Sequence, residues 1–216
     1  MSNAVLVLGQ SGAGKSTSIR NLPSEQTFII NVIGKPLPFR GAKVSYTQLT
    51  PDGLTGNYYA SDDHMAIMRV IKLINTKRLD IKYLVIDDFG YTLTNSFMRK
   101  ASEKGYDKFV TIGKDAFDIL DIVSLLRDDL FCFVMMHTEA DQNGFYKPRT
   151  IGKMVDQYVC IEGKFSFVYY ALFYDNKYVF LTNHDGTHLS KTPYGLHEDL
   201  YIPNDLFEIS KHIEAY

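Results

Sequence analysis

Apolar and polar positions along the chain alternate between two rhythms. Ala4–Leu8 is an unbroken apolar run that ends directly at Gly9, the pattern of a strand buried on both faces. Thr27–Asn31, Tyr83–Ile86 and Phe131–Met136 repeat it. Between these runs the apolar spacing lengthens to three and four. Ile67, Val70, Ile71 and Ile74 form one such stripe, and Ala116, Ile119, Leu120, Val123 and Leu126 another, each the buried face of a helix. Residues 16–22 suit a helix stopped before Pro23, residues 92–104 a further one, and residues 205–215 a terminal one. Asp62 is placed to cap the helix that follows it. Residues 34–60 are rich in Gly, Pro and Asn and read mostly as loop, with Val44–Thr47 a short strand; residues 138–154 read as an irregular loop. Two aromatic-rich strands, 165–174 and 177–183, are split by Asp175-Asn176, a hairpin turn. Strands that alternate with helices predict a parallel sheet flanked by helices, and the hairpin adds an antiparallel edge. No linker divides the chain, so residues 1–216 are expected to form a single α/β domain.

Composition narrows this little. Apolar residues make up 45 % and charged residues 22 % of 216, ordinary for a globular domain. No apolar stretch approaches the length of a membrane span, and no basic segment precedes the first strand, so neither an anchor nor a signal peptide is expected. The formal net charge of −2 argues against a protein coated in positive charge for nucleic acid, though a local basic loop is compatible with it. Cys132 and Cys160 both lie in apolar segments and read as buried free thiols; their spacing suits neither a metal knuckle nor a redox pair.

The chemistry begins where the first strand ends. Gly9-Gln10-Ser11-Gly12-Ala13-Gly14-Lys15-Ser16 matches G-x-x-x-x-G-K-S, with a strand before it and a helical segment after it. The glycines let the backbone turn tightly and aim several N–H groups at one anion. Lys15 is placed to reach the β- and γ-phosphates, Ser16 to ligate magnesium, and Thr17 to donate to the α-phosphate. No Asn/Thr-Lys-x-Asp guanine-reading motif follows, which favours ATP over GTP. Lys82–Ile86 is a second apolar strand ending in Asp87-Asp88. In a sheet of this kind we expect it beside the first strand, with Asp87 facing the magnesium ion. Asp88 is then the candidate for polarising the attacking water, or else a cap for the next helix. His137 ends the Phe131–Met136 strand, where a polar side chain either feels the γ-phosphate or is an ordinary hydrogen-bonded histidine.

The loop after His137 carries Phe145, Tyr146, Lys147, Arg149 and Lys153 and, from 143 to 153, no acid. Rings that stack on unpaired bases and cations that hold phosphates suit single-stranded nucleic acid; a solvated hairpin, a subunit contact or a phosphate-covering lid are the other readings. Lys191 sits in a late loop, where a cation could be offered to a neighbouring subunit's nucleotide. His184 and His188 nearby lack the helix or cysteine partner of a metal site.

Taken together, the phosphate loop, Phe28–Phe39, Val85–Asp88 and Thr150–Lys153, in this order, resemble the phage-encoded, single-domain RecA/RadA-like ATPases associated with single-strand annealing and recombination. The likeness runs from Ala4 to about Tyr201. It implies a RecA-like P-loop fold, Mg-dependent ATP hydrolysis, single-stranded DNA as partner, assembly into a homo-oligomeric ring or filament, phage replication or recombination proteins as possible partners, and the host cytoplasm as the compartment. By position, Lys15, Ser16 and Asp87 would bind Mg-ATP, His137 would be the γ-phosphate sensor, residues 138–154 the DNA loop, and Lys191 a group acting across the subunit interface. One position departs from the resemblance. Relatives of RecA carry a glutamate at the end of the second strand, whereas this chain reads Ile29-Ile30-Asn31-Val32-Ile33-Gly34. Either Asp88 takes that role, or the protein is a nucleotide-gated binder with weak turnover. A small-molecule kinase is a further alternative, weakened because Arg149 is the only arginine after Arg127.

Overall fold

The computed structural model describes residues 3–156 and 159–216, and, for Lys153 and Met154, the backbone alone. It is a mixed α/β fold built on one sheet. The strands β1 (Asn3–Leu8), β2 (Thr27–Asn31), β3 (Tyr58–Ala60), β4 (Tyr83–Asp87), β5 (Phe131–Met136), β8 (Phe167–Tyr174), β9 (Lys177–Leu181) and β10 (Tyr201–Pro203) lie in the order β10-β9-β8-β1-β5-β4-β2-β3. All pairings from β8 to β3 are parallel, and β9 and β10 are antiparallel additions. A separate small hairpin joins β6 (Thr138–Ala140) to β7 (Tyr146–Pro148).

The period-two alternation of the central strands splits their side chains between two cores. Leu6, Leu8, Ile30, Ile86, Val134 and Met136 pack on one face against α2 (His64–Lys77), α3 (Gly90–Arg99) and α4 (Asp107–Ser124). Val5, Val7, Ile29, Val85, Phe133 and Met135 pack on the other, with Ile19 and Leu22 after the phosphate loop and with α6 (Leu206–Ala215). Both faces are covered, which is why these strands read as unbroken apolar runs.

Several expectations are corrected. The strand carrying Asp87 does not lie beside β1. β5 is inserted between them, since β1 gives its two edges to β5 and β8. The helix expected over residues 16–22 is present, as a 3-10 helix over residues 16–21. Its polar start bonds locally, with Ser18 Oγ donating to the Lys15 carbonyl at 2.5 Å, and Pro23 ends it. Val44 lies in a one-turn helix, α1 (Ala42–Ser45), entered through Gly41 at φ 86°, and not in a strand. Asp63, not Asp62, caps α2 by accepting from Ala66 N at 2.7 Å. Asp62 instead accepts from Asn95 and Arg99 of α3. Residues 138–154 are not wholly irregular, because they hold the β6–β7 hairpin and the start of α5 (Lys153–Asp156). The Asp175-Asn176 turn is as expected, both residues at positive φ (47° and 58°), but the antiparallel edge strand is β10, which the sequence pattern did not reveal. Cys132 is buried in β5; Cys160 is exposed and outside any strand. No helix among the described residues is long and apolar enough to cross a membrane.

Candidate nucleotide site

The C-terminal ends of β1, β4, β5 and β2 converge on the phosphate loop. Gly9 enters it at φ 151°, and a Cβ there would stand 2.6 Å from the Ala171 carbonyl oxygen of β8. The loop therefore lies flush against the neighbouring strand, an approach open only to glycine. At Gly14, φ 92°, a Cβ would stand 3.1 Å from the Tyr178 ring. Lys15 turns back inside the loop. Its ammonium donates to the carbonyls of Gly9 and Gln10 at 2.7 and 2.9 Å and lies 3.3 Å from His137 Nδ1. Burial pulls its pKa down to about 8, against the opposing pull of Asp88 and Asp87.

Ser16 Oγ donates to Asp87 Oδ1 at 3.0 Å, so the loop and the end of β4 meet even with β5 between their strands. Asp87 is fully buried and its Oδ2 has no partner. Burial and the adjacent Asp88 raise it to about 6, while the Ser16 hydrogen bond and the Lys35 and Lys15 charges oppose the rise. An orphaned carboxylate oxygen beside a serine hydroxyl is a hard-oxygen donor pair suited to magnesium. These residues fit the ion that the motif implies.

Asp88 stands in the left-handed region at φ 62°, an uncommon conformation for a residue other than glycine. The turn carries its carboxylate away from Asp87. His137 Nε2 lies 3.1 Å from Oδ1, and Lys35 Nζ lies 2.5 Å from Oδ2. Burial alone would raise this carboxyl, but the hydrogen bonds of His137 and Lys35 and the Lys35 charge hold it below the usual range. His137, directly after the strand between β1 and β4, thus bridges Lys15 to Asp88.

Lys35 is the group that the sequence pattern did not reveal. It stands 53 residues from Asp88, in a segment that reads only as loop. Asn31 brings it in. At the end of β2, paired with Asp87 in the parallel ladder, its fully buried amide donates to the Lys35 carbonyl at 2.8 Å and accepts from Gly34 N at 2.9 Å. The position where the resemblance calls for an acid is therefore occupied by a clamp that shapes the Lys35 turn. The phosphate loop, Lys35, Pro36, Pro38, Asp88, His137 and Tyr178 together enclose a cavity of about 310 Å³. A larger groove of about 390 Å³ beside α4, lined by Phe109, Val110 and Phe117, is apolar and lacks this chemistry.

The expected nucleic-acid residues are not gathered into an open surface. The Tyr146 ring stacks on His188 at 5.2 Å, and Phe145 packs on His184 at 5.3 Å. Lys147 pairs with Asp156 at 2.8 Å. Arg149 is exposed, and its N–H donates to the His137 carbonyl at 2.9 Å. The Lys153 side chain lies outside the described residues. Lys191 is exposed and joined to Val168 of β8 through backbone hydrogen bonds; it is not among the residues that line the phosphate cavity.

No family model and no curated protein matches the chain. Among solved structures it is similar to one described as a structural and biochemical analysis of a prototypical ATPase from the type III secretion system of pathogenic bacteria. The identity is 13 % and the TM-score 0.44, over 78 % of this chain and 50 % of that one. The chain thus spans half the length of that ATPase.

Proposed function

We propose that this protein binds Mg-ATP in the phosphate-loop cavity and hydrolyses it. The observation that carries the reading is the convergence of Lys15, Ser16 and the unpartnered Oδ2 of Asp87 at the mouth of a glycine-built loop. The loop N–H groups and Lys15 would neutralise the phosphates, and Ser16 and Asp87 would hold the magnesium ion. The ion supplies charge compensation at the terminal phosphate when bound. Catalysis would come from positioning and electrostatics, as phosphoryl transfer requires. The RecA-like form of the fold belongs to the same proposal. In support, a polar residue, His137, ends the strand between the two that carry the phosphate loop and Asp87, where it touches both Lys15 and Asp88.

Single-stranded DNA as the partner is supported by one link. The Arg149 N–H is bonded to the His137 carbonyl, which would tie the basic loop to a change felt at His137. Phosphate contacts by Arg149 and Lys153, with Phe145 and Tyr146 released from their histidine partners, would make up the DNA surface. Ring or filament assembly, with Lys191 acting across the interface, and a role in phage recombination rest on the sequence resemblance. A nucleotide-gated binder without turnover is favoured by one observation, namely that the two oxygens of Asp88 already lie against the nitrogens of His137 and Lys35.

Steady-state ATP hydrolysis at low salt, with and without single-stranded DNA, separates these readings. DNA-stimulated turnover supports the recombinase-like ATPase, turnover indifferent to DNA removes the DNA partner, and ATP binding without turnover leaves the gated binder.

A further inference from the structure

The Lys35–Asp88 contact does not resemble an ordinary surface ion pair. Asp88 is 1 % exposed, while the Lys35 side chain is 43 % exposed and lines the phosphate cavity together with Lys15. An exposed lysine gains little from an ion pair. This one is held in place by other means. The Asn31 amide binds both sides of the turn that bears it, Gly34 takes φ 67° within that turn, and Pro36 and Pro38 stiffen the chain beyond. A buried side chain and a shaped turn thus present one partly exposed cation at the cavity beside the phosphate loop.

We propose that Lys35 is a catalytic residue of the hydrolysis reaction, exchanging Asp88 for the terminal phosphate of bound ATP. This rests on the ATPase reading above. A γ-phosphate carries more negative charge than a single carboxylate, and it enters the cavity between Lys15 and Lys35. The Lys35 ammonium moves to it and neutralises charge on its oxygens. Oδ2 of Asp88 is thereby released to accept a proton, while Oδ1 stays with His137. The oxygen of a water molecule then forms its bond to the terminal phosphorus. The bond to the bridging oxygen breaks, with its electron pair leaving on ADP, and the proton of the water passes to Asp88 Oδ2. Once the phosphate has left, Asp88 gives its proton up to solvent and the ion pair with Lys35 re-forms; with ADP alone the exchange does not occur, because no terminal phosphate reaches Lys35. Asp88 is then a base only while triphosphate is bound.

The test compares wild type with Lys35→Ala, Lys35→Arg and Lys15→Ala in the full chain, by calorimetric titration with ADP and with a non-hydrolysable ATP analogue, and by steady-state turnover. Lys35→Ala is expected to keep its ADP affinity within about threefold. It should lose about tenfold in affinity for the analogue and about 100-fold in kcat, the scale of removing one charge-stabilising group. Lys35→Arg should recover part of kcat. An unchanged ratio of analogue to ADP affinity together with wild-type kcat makes Lys35 a counter-ion only and overturns the proposal. A rise in kcat makes it a brake and overturns it as well, as does a wild type that binds ATP without turnover. Nucleotide affinity unaffected by Lys15→Ala defeats the ATPase reading itself and is a separate outcome.

Discussion

Replacing Asp87 by Asn should make the nucleotide-free protein more stable and the nucleotide site useless for magnesium. The carboxyl is fully buried and its pKa stands at about 6, against an ordinary 3.8. A shift of roughly two units corresponds to about 3 kcal/mol spent on holding the charge in the folded state. Asparagine removes that cost. It keeps the Ser16 hydrogen bond through its own Oδ1, but leaves an amide N–H without an acceptor where Oδ2 stood, which costs about 1–3 kcal/mol. The net gain is then about 0–2 kcal/mol, or at most about 4–8 °C in Tm for a chain of this size. The pH dependence identifies the cause. Below about pH 4 the carboxyl is protonated in both states and the penalty vanishes. Between about 4 and 6 the unfolded chain loses its proton first, so wild-type stability falls. Above 6 the full penalty applies. Urea denaturation of both proteins at pH 4 and pH 7.5 should show the variant gaining on wild type only at the higher pH. Calorimetric titration with ATP should show the magnesium-dependent part of the affinity lost by about tenfold or more. A variant less stable than wild type by the same amount at both pH values refutes the reasoning, since Asp87 would then be a structural acceptor for Ser16 rather than a strained ligand.

Two further outcomes follow from the same geometry. Gly9→Ala places a Cβ 2.6 Å from the Ala171 carbonyl at φ 151°, so thermal melting should fall by the equivalent of about 2 kcal/mol or more as the loop is pushed off β8, and nucleotide affinity should fall with it; an unchanged Tm shows that the loop does not lie against the strand. Tyr46 is buried and its hydroxyl is pushed up to about 12, chiefly by burial. The folded protein therefore keeps a proton that the unfolded chain loses near pH 10, and stability present below that pH is lost as it rises toward 12. Tyr46→Phe should shed that alkaline loss, about 1.4 kcal/mol of it by pH 11, read as the change in the gap between variant and wild type in urea melts at pH 8.5 and 11; a constant gap excludes it.

Much of this protein is written locally. The phosphate loop is eight consecutive residues whose glycines, lysine and serine have one joint use, and Asp87 is marked by the apolar run it terminates. The central strands announce themselves because both faces of the sheet are covered, and α2, α4 and the Asp175-Asn176 hairpin follow from spacing and turn chemistry alone. Signals of this kind depend on neighbours within a few positions, so periodicity carries them. The order of the strands does not. That β5 separates β1 from β4 is settled by which edges pair, and the apolar run of β5 is compatible with several places in the sheet. The same holds for the site beyond its motifs. Lys35 meets Asp88 across 53 residues, through a turn held by an asparagine where an acid was expected. His137 touches Lys15 and Asp88 because its strand lies between theirs. Phe145 and Tyr146 read as free aromatic rings until His184 and His188, some 40 residues on, are packed against them. Side chains distant along the chain come into contact only when the sheet closes, and it is there that the charges around the phosphate cavity were assigned their partners.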